Sequence, residues 1–346
     1  MANNKEKPKK ELILLQELKC DVYWDILSVL KRHAFLNVSM GGRGIGKTWQ
    51  AIIKALEDYK KYGDQFIYVR RYKSETTLQK HLLDDFCVGH TTKGIKNSAW
   101  EYSINGDTIG YCIPLSLQAN FKSMSFTRVK TIIFDEAILM NGGVIRYIPN
   151  EVHVLFESLS TVFRHRKDCR VFILGNNLNF FNPYCEYFNV KVFKNTYYDK
   201  ERSLYIEYCN NSPALEEAEK TTPLYALTMG TTYHDYHYNN TVLTKNKFDV
   251  VKKKPNDKLI FRVVVNTYTL NFYLREDKRF FVEANHKVID DNYSIILIRN
   301  SEVNTYNMML FKSKWLEILR IKFYNDKCDF GDTNSPQLLD MILDLY

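Results

Sequence analysis

Gly41-Gly42-Arg43-Gly44-Ile45-Gly46-Lys47-Thr48 fills every fixed position of the pattern G-x-x-x-x-G-K-[ST]. The apolar run 35–40 ahead of it is typical of a buried strand, and residues 51–56 behind it have a helical pattern. In that setting the backbone N–H groups of the loop surround phosphate oxygens, Lys47 supplies positive charge to the β- and γ-phosphates, and Thr48 offers a hydroxyl to Mg²⁺. All eight residues are therefore candidate nucleotide ligands, and the alternative is a glycine turn on a surface loop.

Three further apolar runs follow within the first 180 residues, at 66–70, 131–135 and 171–175. Near-continuous Val, Ile and Phe indicate strands covered on both faces, as in a mostly parallel sheet flanked by helices. Asn105-Gly106, between the runs 66–70 and 131–135, is the signal of a tight hairpin. The first half of the chain is thus predicted to be an α/β domain with a small antiparallel excursion.

The run 131–135 ends in two carboxylates, Asp135 and Glu136. Hydrolysis of a bound triphosphate needs a second metal ligand and a group that activates water. We expect Asp135 to help hold Mg²⁺ and Glu136, just past the strand, to polarise the attacking water. The alternative is an ordinary surface turn that happens to be acidic.

Asn176 follows the run 171–175, at the edge where a parallel sheet opens onto its ligand. Its amide can hydrogen-bond the γ-phosphate or the lytic water. Asn is also a common turn residue, and both interpretations stay open.

Residues 161–170 concentrate four basic side chains, Arg164, Arg166, Lys167 and Arg170. In a ring of identical subunits, one such arginine can stabilise transition-state charge in the neighbouring site. The alternatives are a DNA-facing patch and a solvated helix end. The pair Arg70-Arg71 can likewise grip nucleotide or DNA, or simply lie on the surface.

The composition is that of a globular protein, with 45% hydrophobic and 25% charged residues in 346. No apolar run approaches the roughly 20 residues of a membrane span, and seven scattered cysteines without C-x-x-C spacing argue against disulfides and a zinc site. The net charge of +8 is uneven: residues 1–200 carry 29 basic and 20 acidic groups, and 251–320 carry 13 and 8. Two basic blocks predict contact with a polyanion, with a solvated surface as the alternative.

Three segments are predicted along the chain. Residues 1–205 form a P-loop ATPase domain that begins with a disordered basic arm at 1–12, and residues 206–256 form a linker without clear periodicity. Residues 257–346 form a small α+β domain. Its pattern is a meander of strands at 259–265, 268–274 and 279–283, followed by helices at 313–324 and 336–345.

Together these pieces resemble the DNA-packaging ATPase of small protein-primed tailed phages of the phi-twenty-nine type. The resemblance rests on residues 42–47, Gln65-Phe66-Ile67-Tyr68-Val69-Arg70-Arg71-Tyr72-Lys73, Phe134-Asp135-Glu136, 147–152 and 161–164. It implies an additional-strand, catalytic-glutamate P-loop fold and ATP-driven translocation of double-stranded DNA. It also implies a homomeric ring, pentameric by resemblance, at the portal of the prohead in the host cytoplasm, with no membrane and with a structural packaging RNA as a further partner of such phages.

Carried over by position, the resemblance makes Lys47 and Thr48 the phosphate and Mg²⁺ ligands and Asp135 the metal carboxylate. It makes Glu136 the base and Arg164 an arginine finger that acts on the neighbouring subunit. Asn176 falls where the amide that couples hydrolysis to movement lies in the family, a less specific match.

The C-terminal domain of the family resembles a ribonuclease-H-like nuclease. Nucleases of that kind need converging carboxylates on two metal ions, yet the first strand here, 259–265, has no acid and is followed by Asn266. A vestigial domain without DNA cutting is therefore expected. Two alternatives to the translocase remain: a large terminase with an active nuclease, and an ATP-dependent capsid adaptor that does not translocate.

Overall fold

The chain divides into two compact units in a computed structural model. The first comprises Met1–Leu139, Ile145–Leu178 and Phe193–Thr241, and the second Met140–Val144, Asn179–Val192 and Val242–Tyr346. The structure describes residues 12–95, 99–118, 122, 124–139, 145–176, 182–188, 190, 195–231, 233–234, 238, 250–265, 268–285, 287, 289, 291–297, 314–332 and 335–345.

The strands are β1 (Ile13–Leu14), β2 (Leu36–Gly41), β3 (Gln65–Arg70), β4 (Cys87–Val88), β5 (His90–Ile95), β6 (Ala99–Ile104), β7 (Asp107–Pro114), β8 (Val129–Ile138), β9 (Arg170–Gly175), β10 (Thr196–Asp199), β11 (Leu204–Cys209), β12 (Lys258–Val265), β13 (Tyr268–Leu274), β14 (Phe280–Asn285), β15 (Ser294–Leu297) and β16 (Cys328–Phe330). The α-helices are α1 (Ile26–Leu30), α2 (Lys47–Tyr62), α3 (Lys73–Thr76), α4 (Glu151–Phe163), α5 (Pro183–Tyr187), α6 (Pro213–Lys220), α7 (Pro223–Thr228), α8 (Lys314–Tyr324) and α9 (Ser335–Leu345). Short 3₁₀ turns lie at Thr77–His81 and Leu115–Leu117.

The large sheet of the first unit has the strand order β10-β11-β2-β9-β8-β3-β7-β6-β5. The six strands from β11 to β7 pair in parallel, and antiparallel strands complete both edges. Every residue of β2 is buried, and β9 is buried from its second residue on, which explains the near-continuous apolar runs of the sequence. The predicted mixed α/β fold with a large, mostly parallel sheet is confirmed.

The order of the parallel strands decides which residues meet. Strand β9 lies between β2, which leads into the phosphate loop, and β8, which carries the two carboxylates near its end. Strand β3 lies on the other side of β8. Because parallel strands share one carboxyl edge, residues at the ends of β2, β9, β8 and β3 converge there.

The hairpin predicted at Asn105-Gly106 is present and joins β6 to β7. Both turn residues have positive φ, 52° and 83°, as this tight turn requires. The predicted connector 206–256 is wrong in part, since β11 continues to Cys209 and two helices occupy residues 213–228. Of the predicted arm 1–12, residues 1–11 lie outside the described residues, and Leu12 is buried.

The second unit contains a five-stranded sheet in the order β15-β12-β13-β14-β16. Strands β12, β13 and β14 form the predicted antiparallel meander, and β15 and β16 add in parallel at the two edges. The two C-terminal helices, α8 and α9, also match their predicted positions within one residue. Asn266 lies outside the described residues, and the ribonuclease-H-like assignment stays a prediction.

All seven cysteines are free thiols, as their scattered spacing predicts. None of the helices in the described part of the chain is long and apolar enough to cross a bilayer.

Candidate active site

The phosphate loop connects the end of β2 at Gly41 to the start of α2 at Lys47. Gly46 has a φ of 78°, and a Cβ on it would lie 2.9 Å from the Cβ of Tyr23. A Cβ on Gly41 would lie 2.5 Å from the carbonyl oxygen of Cys209. Both positions therefore require glycine, one for its backbone conformation and both for the close approach of neighbouring chain.

Lys47 lies inside this loop and is only 4% exposed. Its Nζ donates hydrogen bonds to the carbonyl oxygens of Gly41 at 3.2 Å and Gly42 at 2.8 Å. Burial lowers the pKa of the Lys47 ammonium, and the acidic groups around it, Asp135 among them, offset this only in part. A phosphate anion at this position would stabilise the charged form of Lys47 and give the buried ammonium a strong partner.

A cavity of about 630 Å³ opens beside the loop. Its lining includes Arg43, Lys47, Thr48 and Asn176, so the structure brings these predicted residues to one space. The lining also includes the aromatic and aliphatic side chains of Tyr23, Trp49, Ile52, Leu82 and Phe86. Apolar side chains together with a few polar groups are the lining expected of a small-molecule site.

Asp135, near the end of β8, is 8% exposed and lies against the start of α2. The Thr48 hydroxyl donates to its Oδ1 at 2.9 Å, and the Glu136 N–H donates to the same oxygen at 2.9 Å. The Tyr68 hydroxyl donates to Oδ2 at 2.6 Å. Burial raises the pKa of Tyr68, and the Asp135 charge raises it further, so the phenol stays protonated and serves as a donor.

Glu136 leaves the sheet ladder. Its φ is 51°, and the β8–β9 register is interrupted between Phe134 and Ile138. The Glu136 side chain is 40% exposed, and its Oε2 accepts a hydrogen bond from Arg70 at 2.5 Å. This left-handed backbone, uncommon for a residue with a Cβ, turns the carboxylate out of the sheet toward the carboxyl edge.

Arg70, the last residue of β3, forms ion pairs with an acidic cluster that consists of Glu75, Asp135 and Glu136. Besides Glu136 it lies 3.5 Å from Asp135 and 3.0 Å from Glu75, whose other oxygen accepts the Tyr72 N–H at 2.7 Å. Burial alone would lower the pKa of Arg70, but Tyr68 and the three neighbouring carboxylates raise it overall. The guanidinium is therefore permanently charged and holds Glu136 close to the cluster.

The oxygens of Thr48 and Asp135 suit a magnesium ion. Mg²⁺ takes oxygen ligands at about 2.0–2.1 Å in an octahedron, so adjacent ligands lie about 2.9 Å apart. The 2.9 Å between Thr48 Oγ1 and Asp135 Oδ1 matches that edge. Across the described ranges no group of three or more His, Cys, Asp or Glu side chains is arranged for a metal, so the other ligands would be phosphate oxygens and water.

The interpretation of Arg70 and Arg71 as residues that grip DNA is wrong. Arg70 is engaged by three carboxylates, and Arg71 is 1% exposed and paired with Glu151. The sequence did not predict these partners, nor that Tyr68 donates to Asp135. Alternation along 65–71 indicates which side chains share a face, but only the strand order shows that β3 lies next to β8.

The basic segment 161–170 is also divided by the structure. Arg166 donates to backbone carbonyl oxygens of Phe126, Thr127 and Val129, and Arg170 pairs with Asp58, so both are structural. Arg164 is exposed and caps the C-terminal end of α4, away from the cavity of its own chain.

A model of the family "Podovirus DNA encapsidation protein (Gp16)" matches residues 18–325 of the chain. The DNA packaging protein of Bacillus phage phi29 is 29% identical over 290 residues, which cover 84% of this chain and 86% of that protein. The DNA packaging protein of Bacillus phage B103 is 32% identical over 260 residues, covering 72% and 80%. Among solved structures, a chain of the bacteriophage Phi-29 viral genome packaging motor assembly aligns with a TM-score of 0.62 and 25% identity, covering 94% of this chain and 98% of that chain.

Proposed function

This chain belongs to the Podovirus DNA encapsidation protein family, and we propose that it is an ATP-hydrolysing motor that moves double-stranded DNA into a preformed capsid. Membership assigns the chain to the packaging of phage DNA. We further propose that ATP drives this movement and that the protein forms a homomeric ring, pentameric by resemblance, which docks at the portal of the prohead. The protein would act in the host cytoplasm, bound transiently to the prohead, where a structural RNA would be a further contact.

One observation carries the ATPase part of this proposal: the 2.9 Å hydrogen bond between Thr48 Oγ1 and Asp135 Oδ1. It joins the end of the phosphate loop to the end of β8, two segments 87 residues apart in sequence. These two oxygens would hold Mg²⁺, which when bound withdraws charge from the phosphate oxygens. The loop 41–47 then surrounds the triphosphate with N–H groups, and Lys47 exchanges its loop carbonyls for phosphate oxygens.

Glu136 is the proposed base. Its carboxylate is the exposed member of the acidic pair, and a water that it orients can attack the terminal phosphate. While Arg70 donates to the Oε2 of Glu136, that oxygen is occupied by the guanidinium and is held toward β3. Turnover therefore requires the carboxylate to exchange Arg70 for water, and Arg70 gains a role in timing hydrolysis.

Asn176 and Arg164 complete the proposed machinery. Asn176 lines the loop cavity at the end of β9, where its amide can sense the γ-phosphate and pass its loss to the sheet. Arg164 is exposed at the C-terminal end of α4 and would act on the nucleotide of the adjacent subunit. The aromatic side chains of Tyr23, Trp49 and Phe86, which line the cavity, would contact the base of ATP.

The strand order supports membership of the additional-strand, catalytic-glutamate class, because β9 separates β2 from β8. For the second unit we propose a ribonuclease-H-like domain that binds DNA or the prohead without cutting. Strand β12 carries no carboxylate along Lys258–Val265, so a first metal ligand is missing from it. A plasmid-cutting assay with Mg²⁺ or Mn²⁺ tests this, and cleavage that depends on the protein would identify an active terminase nuclease instead.

Steady-state ATP turnover, with and without double-stranded DNA, tests the motor proposal. We expect DNA to stimulate turnover, and we expect Glu136→Gln to abolish it while ATP binding persists. Affinity for DNA should fall steeply with salt, since phosphate contacts release counterions. Turnover indifferent to DNA would favour an ATP-dependent adaptor over a motor, and full activity of Glu136→Gln would remove the assigned base.

A further inference from the structure

Arg71 follows β3 directly and has a place in the fold that the nucleotide chemistry does not require. Its guanidinium is 1% exposed and donates to both oxygens of Glu151, at 2.5 Å through Nε and 2.9 Å through a terminal nitrogen. Its Cζ lies 5.5 Å from the centroid of the Phe134 ring and 5.0 Å from that of the Tyr147 ring. A buried ion pair is seldom kept for stability alone, because removing two charges from water offsets most of their attraction.

The other donors of Arg71 point at the catalytic end of β8. One terminal nitrogen donates to the carbonyl oxygen of Glu136 at 3.1 Å and the other to that of Ala137 at 2.6 Å. These carbonyls lie in the stretch where β8 loses register with β9, and the β3 pairing has already ended at Phe134. Arg71 thus supplies donors to backbone groups that the sheet ladder leaves behind.

The same stretch contains the left-handed residue Glu136. A non-glycine residue holds such a backbone only when its surroundings fix it. Arg71 donates hydrogen bonds to the carbonyl oxygens of Glu136 and Ala137. Its partner Glu151 is the first residue of α4 and accepts the Ile148 N–H at 3.0 Å. Arg71 is therefore anchored to a helix rather than to a flexible loop.

We propose that Arg71, held by Glu151, is a positioning residue that fixes the backbone at 136–137 and so aims the Glu136 carboxylate at the attacking water. The inference rests on the proposed function, since it needs Glu136 to be the base. Arg71 does not touch the nucleotide cavity, so it should govern the rate of hydrolysis and not the binding of ATP. This role differs from that of Arg70, which contacts the carboxylate itself.

Arg71→Lys tests the inference because it keeps the charge but replaces the planar fork with one ammonium, which cannot serve two carbonyls and a carboxylate together. We expect kcat for ATP to fall about 100-fold, the effect of misplacing a catalytic group by about 1 Å. The dissociation constant for ATP should stay within twofold of the wild-type value. Arg170→Lys is the matched control: Arg170 also pairs with a carboxylate, Asp58, but at the first residue of β9, on the opposite edge of the sheet. It should keep its kcat.

A double-mutant cycle with Glu136→Gln gives the decisive reading. If Arg71 acts through Glu136, adding Arg71→Lys to Glu136→Gln should change the residual single-turnover rate less than twofold. Rate losses that multiply in the double variant would overturn the inference, as would a loss of ATP affinity equal to the loss of kcat. Wild-type turnover in Glu136→Gln alone would remove the proposed base, and the inference with it.

A second variant covers the outcome in which Arg71→Lys leaves too little folded protein for kinetics. Arg71→Met combined with Glu151→Met replaces the buried pair by apolar side chains of similar size, a change that proteins often tolerate. It also removes the donors to the carbonyls of Glu136 and Ala137. Folded protein with the same 100-fold loss of kcat and unchanged ATP binding supports the inference, and wild-type kcat in this variant overturns it.

Discussion

Arg164→Ala should slow ATP turnover about 10³-fold or more, the usual effect of losing an arginine finger. The geometry decides which site that arginine serves. Helix α4 has 13 residues, so its ends lie about 20 Å apart. At the start of this helix, Glu151 pairs with Arg71, which in turn donates to the carbonyl oxygen of Glu136. Arg164 follows the last turn, at the other end of the helix. An extended arginine spans only about 7 Å, so Arg164 is out of reach of the Glu136 region of its own chain, and a catalytic role would place it in the site of another subunit.

The expected turnover of rings that contain two different variants can be calculated. In a ring of Arg164→Ala and Glu136→Gln subunits, a site is complete only where the first type supplies Glu136 and the second supplies the arginine. With a fraction x of one type, complete sites make up x(1−x), which reaches about one quarter at equal amounts. Turnover should therefore rise from near zero for either variant alone to about a quarter of the wild-type rate.

The assay is ATP turnover on empty capsids without DNA, at several mixing ratios and constant total protein. Lys167→Ala is the matched control, because this exposed basic residue lies at the same end of α4 and should keep wild-type turnover. Absence of rescue at every ratio would refute action across an interface. Full activity of Arg164→Ala alone would remove the residue from catalysis altogether.

Three further predictions concern the loop and its cavity. Gly46→Ala should cost about 1–2 kcal/mol from its left-handed backbone alone, lower the thermal midpoint and abolish ATP binding; an unchanged midpoint would contradict the reading of its φ of 78°. Thr48→Val should raise the Mg²⁺ concentration needed for half-maximal turnover, because the 2.9 Å partner of Asp135 loses its oxygen; an unaltered Mg²⁺ titration would count against that ligand. Trp49→Ala should weaken the binding of ATP by about 1–3 kcal/mol but leave the binding of tripolyphosphate intact. The control Tyr62→Ala, which removes an exposed aromatic side chain from the same helix, should change the binding of neither ligand. Equal losses of affinity for both ligands would place the base of ATP elsewhere.

The phosphate loop, the parallel strands and the hairpin at Asn105-Gly106 were predictable because each depends on neighbours in sequence. A glycine-rich loop specifies its own turn, and a continuous apolar run specifies a strand buried on both faces. That Thr48 and Asp135 lie at the same edge of the sheet was predictable for a related reason. Thr48 begins the helix after one parallel strand and Asp135 lies near the end of another, so both belong to the carboxyl edge, whereas their hydrogen bond also depends on the order of the strands.

The partners of Arg70 and Arg71 were not predictable, since they depend on strand order. Nothing within residues 65–73 states that β8 lies beside β3, and two arginines after a strand are as common on a surface as in a site. Only the sheet order brings Arg70 to Glu136 and Arg71 to Glu151. Burial of the second arginine then follows from the bidentate pair, which a single sequence does not reveal.

Helices α6 and α7 escaped prediction because they are short and mostly exposed, so that neither contains enough turns for a repeated hydrophobic spacing to be recognised. Their ends did carry a signal. Ser212 and Thr222 each accept a backbone N–H three residues on, and each is followed by proline at the first helical position. Capping patterns thus indicate helices in segments where hydrophobic spacing is silent.

Packaging of DNA into empty capsids, measured as DNA protected from added nuclease, shows whether hydrolysis at Glu136 drives the DNA inward. Wild-type protein with ATP should protect genome-length DNA, and protection should vanish without ATP. Glu136→Gln protein, which retains its phosphate loop and should still bind ATP, should protect none. Protection by Glu136→Gln at the wild-type level would contradict the claim that hydrolysis at this carboxyl edge drives the DNA inward.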